Sequence, residues 1–83
     1  MTRDQIFAVV RANIMNIVEG VPPDAVSEDV SMRDLGADSL QIVEVVSRSM
    51  KELRLKVPRT ELSRASNLRD LVDLFEKAAA ERT

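Results

Sequence analysis

Apolar residues return at helical spacing in three stretches of this chain, and a long stretch between the first two has no such rhythm. Ile6, Val10, Ile14 and Ile17 recur every three or four residues, with Phe7 and Val18 widening the stripe. Thr2 followed by Gln5 has the pattern of a capping box, so a helix is predicted from about Arg3 to Val18. Gly20, Pro22 and Pro23 end it, because proline lacks an amide donor and keeps the residue before it out of helical geometry. From Glu19 to Asp38 periodicity is weak. Val21, Val26, Val30, Met32 and Leu35 are spaced to tuck into a core, which predicts an ordered loop pinned by its own side chains.

A second helix is predicted to start at Asp38 or Ser39, with Asp38 and Gln41 as a second capping pair. Its apolar face reads Leu40, Val43, Val46, Met50 and Leu53, with Ile42 and Val45 beside it. The run is rich in β-branched residues, but its length and cap favour a helix over a strand. Pro58 closes the next loop, and a short helical turn is expected around Arg59 to Arg64. Ser66 or Asn67 caps a last helix, where Leu68, Leu71, Val72 and Phe75 stand at i, i+3, i+4 and i+7. Val43, Val46, Leu53, Leu71 and Phe75 are expected in the core, and the tail after Ala80 is expected to fray. Three main helices and one short one make an all-α four-helix bundle with a long loop between the first two. Residues 1–83 are expected to form a single domain.

Composition narrows what such a bundle can do. The chain has no cysteine and no histidine, so the common nucleophile, base and soft metal ligands are missing. Catalysis by this chain alone is not expected, and no metal site is. Two aromatics and a net charge of −2 speak against nucleic-acid binding. No apolar run reaches the roughly 18–20 residues that span a bilayer. The N-terminus lacks the layout of a signal peptide, which makes the cytoplasm the default location. Charge is segregated along the chain. Residues 20–47 hold one base, Arg33, against six acids, whereas residues 48–64 hold six bases against two acids. Such a swing around one helix suits a surface that selects partners by charge, although ordinary solvated faces also give it.

The chemistry concentrates in Leu35–Leu40, "LGADSL". Gly36 gives backbone freedom for the turn into the helix, and Asp38 or Ser39 caps it. A serine in the first turn also lies beside free backbone amides, where a phosphate ester is favoured. With no base in the chain to activate it, Ser39 can react only under another protein's catalysis.

Residues 34–46, "DLGADSLQIVEVV", resemble the phosphopantetheine attachment motif of acyl carrier proteins, and the order of elements around them resembles the family from about Ile6 to Lys77. The resemblance implies that Ser39 receives 4'-phosphopantetheine from coenzyme A through a phosphopantetheinyl transferase, and that the thiol then carries acyl groups as thioesters. Asp38 would lie near the phosphate linkage and the transferase's metal. Leu40 would be an apolar docking point, and Asp34, Asp38 and Glu44 would meet basic patches on acyl-loading and condensing enzymes. Arg48, Lys51, Arg54, Lys56 and Arg59 depart from the acidic surface usual in carriers of fatty-acid synthesis. Like charges opposite a basic partner are costly, so the departure implies a dedicated polyketide or mixed polyketide–peptide pathway, with Arg48 in the recognition surface. Residues 49–75 resemble the small free-standing carriers of β-branching cassettes, which donate acetyl to a synthase similar to hydroxymethylglutaryl-coenzyme A synthase. Ser49 stands where a bulky apolar residue is usual, which implies a smaller or more polar lining suited to short cargo. A free-standing monomer is expected. The competing expectations are a fatty-acid carrier and an unmodified helical adaptor in which Ser39 is only a cap.

Overall fold

The computed structural model describes residues 1–82. Its helices are α1 (Arg3–Ile17), α2 (Ser39–Leu53), α3 (Arg59–Leu62) and α4 (Leu68–Glu81), with one 3-10 turn at Pro23–Ala25 and no strand among the described residues. Both expected capping boxes form. The Thr2 side chain accepts from the Gln5 amide and the Gln5 side chain accepts from the Thr2 amide, and Asp38 and Gln41 repeat the exchange at α2. Asn67 caps α4 by accepting from the Asp70 amide. Each of these starts is written in four adjacent residues.

The core joins Ile6, Val10 and Ile14 of α1 to Val45 and Leu53 of α2 and to Leu68, Leu71, Val72 and Phe75 of α4. From the long loop, Val26 and Met32 are buried and Val21, Val30 and Leu35 pack against the core, as their spacing predicts. The loop is also tied down by polar contacts that spacing does not show. The amides of Leu68 and Arg69, in the first turn of α4, donate to the carbonyls of Val30 and Glu28 at 2.9 Å each. Helix α4 thus spends two of its orphan donors on the loop. Arg3 forms ion pairs with Glu28, with Asp73 at 2.6 Å and with Glu76 at 2.8 Å, and its guanidinium pKa is pushed further up by Glu28 and Asp73. Arg69 reaches Asp29 at 2.6 Å.

The packed face of α2 differs from the one its apolar residues predict. Val43, expected in the core, is 54 % exposed and Leu40 is 81 % exposed. The fully packed stripe is Val45, Ser49 and Leu53, flanked by half-buried Ile42, Val46 and Met50. The apolar arc of α2 is wide, running from Val45 through Leu53 and Ile42 to Val43, and contact with α1 decides which flank of it is fully buried. The tail expected to fray after Ala80 differs too as far as Arg82, Thr83 lying outside the described residues. Helix α4 continues to Glu81, and Arg82 donates to the carbonyls of Leu53 and Arg54 at 2.9 Å each. Those carbonyls close α2, where Arg54 adopts a left-handed φ of 56° and Leu55 donates back to Met50 at 2.9 Å. Arg82 therefore holds together the ends of two helices.

Candidate functional site

Ser39 is the first residue of α2 and is exposed. The chain reaches it through a tight turn in which Leu35 and Ala37 donate to the Met32 carbonyl at 3.1 Å each, and Gly36 donates to that of Arg33 at 3.0 Å. Gly36 takes φ 95° there, which a side chain would strain, and a Cβ at that position would meet open space. Ala37 is buried and anchors the turn, so the helix start protrudes from a fixed base. Gln41 adds a tie to α1, its side-chain nitrogen donating to the Ile17 carbonyl at 3.3 Å.

Asp38 is committed to its cap, accepting from the Gln41 amide at 2.8 Å. Asp34 is exposed and holds a turn of its own: its carboxylate accepts from the Ser31 amide and its amide donates to the Ser31 hydroxyl, both at 3.0 Å. Leu40 and Val43 form an apolar ledge one turn from Ser39, and Glu44 and Arg48 follow on the exposed surface. Glu44 and Arg48 pair with each other at 3.6 Å, an exposed i,i+4 contact worth only about 0.3–0.5 kcal/mol. Each is easily released to a partner. The ledge, the acids and the serine thus share one end of the molecule.

One contact has no forerunner in the sequence reading. The Arg33 guanidinium donates to the Ser39 hydroxyl at 3.3 Å. Arg33 is the only base among residues 20–47, and no local pattern shows that its side chain turns toward a residue six positions on.

Behind the helix start lies a cavity of about 590 Å³ between α2, α3, the long loop and the start of α4. Ile42, Val46, Met50, Leu62 and Leu68 give it apolar walls, and Arg33 and Arg59 also line it. Ser49 does not. It is fully buried on the α1 side, where its hydroxyl accepts from Asn13 at 3.2 Å, and Asn13 also donates to the Val9 carbonyl at 3.1 Å. The expected polar lining from Ser49 is therefore absent, because the residue points at α1 rather than at the cavity. Ser31, Ser47, Ser63 and Ser66 are the hydroxyl residues in its lining.

Chemically the site offers an exposed primary hydroxyl at a positive helix end, with one cation beside it. No cluster of acidic, histidine or cysteine residues among those described could hold a metal ion. No helix among them is long and apolar enough to cross a membrane. A phosphodiester fits on Ser39 without displacing buried side chains, since the hydroxyl is exposed and its hydrogen-bond partner, Arg33, is exposed as well.

Comparison with known proteins agrees with this geometry. The family described as "Phosphopantetheine attachment site" matches residues 12–75, a range that includes Ser39. The polyketide biosynthesis acyl-carrier-protein AcpK of Bacillus subtilis is 31% identical over 78 residues, covering 93% of this chain and 95% of its own. An acyl carrier protein of Thermotoga maritima is 35% identical over 77 residues, covering 92% and 94%. Among solved structures, a chain from the crystal structure of the curacin biosynthetic pathway HMG synthase in complex with acetyl donor-ACP superposes with a TM-score of 0.77. It is 32% identical, and the match covers 95% of this chain and 99% of that one.

Proposed function

This chain belongs to the acyl carrier proteins, non-catalytic carriers that hold a phosphopantetheine arm, and on that premise we propose that Ser39 bears the arm and that the carrier supplies acetyl units to a hydroxymethylglutaryl-synthase-like enzyme in polyketide assembly. The observation that carries the first part is the placement of Ser39: exposed at a helix start, beside a cation and an apolar ledge. The Ser39 oxygen attacks the phosphorus of coenzyme A that bears the pantetheine. The bond from that phosphorus to the bridging oxygen breaks, 3',5'-ADP leaves, and the hydroxyl proton passes to a base on the transferase. The transferase is the source of that base in this reading, since the Asp38 and Asp34 carboxylates each accept from a backbone amide instead. Tethering then keeps the acyl group at high effective concentration for each enzyme the carrier docks.

The pathway rests on charge and on likeness. The exposed bases from Arg48 to Arg59 would oppose a basic docking patch, which suits a partner with acids at that end. The similarity to AcpK and to the acetyl donor-ACP supports the same direction. One observation favours a fatty-acid carrier instead, namely the apolar cavity behind Ser39, which has room for a chain longer than acetyl. The two readings part in a loading experiment. The holo protein is charged with acetyl or with a long acyl group, then offered to a hydroxymethylglutaryl-type synthase and to a fatty-acid condensing enzyme. Acetyl transfer to the synthase is expected to exceed transfer to the condensing enzyme by about tenfold, the effect of roughly 1.4 kcal/mol of charge mismatch. Equal or better service to the condensing enzyme would sink the pathway and leave the carrier role standing.

A further inference from the structure

We infer that Arg33 is a positioning residue for the arm, clamping the phosphodiester that Ser39 acquires and fixing the arm's root at the mouth of the cavity between α2 and α3. The inference rests on the carrier reading of Ser39. Three observations lead to it. Among the described residues, Arg33 is the cation whose side chain reaches Ser39, with its guanidinium nitrogen 3.3 Å from the hydroxyl oxygen. The guanidiniums of Arg3, Arg48 and Arg69 lie on carboxylates, whereas Arg33 has no carboxylate within ion-pair distance among the described residues. A neutral hydroxyl is a weak acceptor for a guanidinium, and a phosphodiester on that same oxygen is a charged one, so modification strengthens an existing contact. Arg33 also lines the cavity, so the group that touches the attachment oxygen forms part of the wall behind it.

Charge balance points the same way. Asp38 precedes Ser39 directly and Asp34 lies five positions upstream; both are exposed, and each carboxylate accepts from a backbone amide. A phosphodiester adds a third negative charge at the same end. Arg33 offsets it where no other base of residues 20–47 can. Arg33 thus converts an acidic docking end into one that tolerates the arm, and it biases the arm toward the cavity rather than away from it.

The test uses the full-length protein, apo and modified with coenzyme A by a broad-specificity transferase. Intact mass first reports whether the arm is on, which is the separate test of the carrier reading. On holo protein, phosphorus NMR and the Nε–H resonance of Arg33 are then recorded for wild type, Arg33→Gln, Arg33→Lys and Arg11→Gln, a distant exposed base. The Arg33 Nε–H resonance is expected to shift on conversion from apo to holo. The phosphorus resonance is expected to shift in Arg33→Gln, to shift less in Arg33→Lys, and to stay put in Arg11→Gln. Raising salt should bring the wild-type phosphorus signal toward that of Arg33→Gln, because an exposed pair is screened. Modified protein with unchanged phosphorus and Nε–H signals would overturn the clamp. So would a loss of partner turnover in Arg33→Gln without either spectral change, since Arg33 would then be a docking charge only.

Discussion

Helix α2 has two apolar sides that are finished in different ways. Toward α1, Val45, Ser49 and Leu53 are buried, and the buried side-chain pair of Asn13 with Ser49 is hydrogen-bonded. Away from α1, Leu40 and Val43 stand in solvent and Ile42, Val46 and Met50 wall an open cavity. The residues on both sides are drawn from the same apolar types, so composition alone does not separate them. The first side binds the bundle together. The second is left unfilled, at the end where Ser39 emerges, and it is the side that the proposed function assigns to cargo and partners. An apolar residue in this helix therefore has one of two jobs, and packing against α1 tells them apart.

The largest effect expected from this contrast comes from placing the same charge on both sides. Val45→Asp buries an unpaired carboxylate and should cost about 4 kcal/mol or more, enough to unfold most of a small domain. Val43→Asp should change stability by no more than about 0.5 kcal/mol, as befits a surface site, while weakening partner turnover. Urea denaturation of the two variants compares them directly, and similar losses would erase the distinction between the two sides. A medium effect tests the buried pair. Asn13→Leu or Ser49→Ala should each cost about 1–3 kcal/mol by stranding the other's polar group, and the double variant should cost clearly less than the sum. Additive losses in that double-mutant cycle would show that the pair is not coupled. The smallest effect concerns the helix start. Asp38→Ala should cost about 1 kcal/mol from the lost cap, read by the same denaturation, whereas Ser39→Ala leaves the cap in place and should cost little.

Much of the fold is legible in the chain because its signals are local. The capping pairs Thr2 with Gln5 and Asp38 with Gln41, the prolines after α1, and the i, i+3, i+4, i+7 stripe of α4 all lie within a few residues of one another. The pins of the long loop are legible too, since apolar residues amid polar ones have few other places to go. What escapes is decided across the fold. Val43 reads as core by spacing, yet α1 packs against the opposite flank. Ser49 reads as cavity lining until Asn13 is seen 36 residues away in sequence, donating to it. The tail reads as frayed until Arg82 is seen on the carbonyls that end α2. Of the site, Ser39 and its acidic neighbours stand out from their motif, whereas the approach of Arg33 depends on the turn at Gly36 and has no pattern of its own.

The central claim is that Ser39 carries the arm. Intact mass after incubation with coenzyme A, magnesium and a broad-specificity phosphopantetheinyl transferase tests it most directly. Wild type should gain one phosphopantetheine, and Ser39→Ala should gain none while circular dichroism shows its helix content nearly unchanged. A wild type that gains nothing, or a Ser39→Ala variant that gains the same mass, would contradict the account.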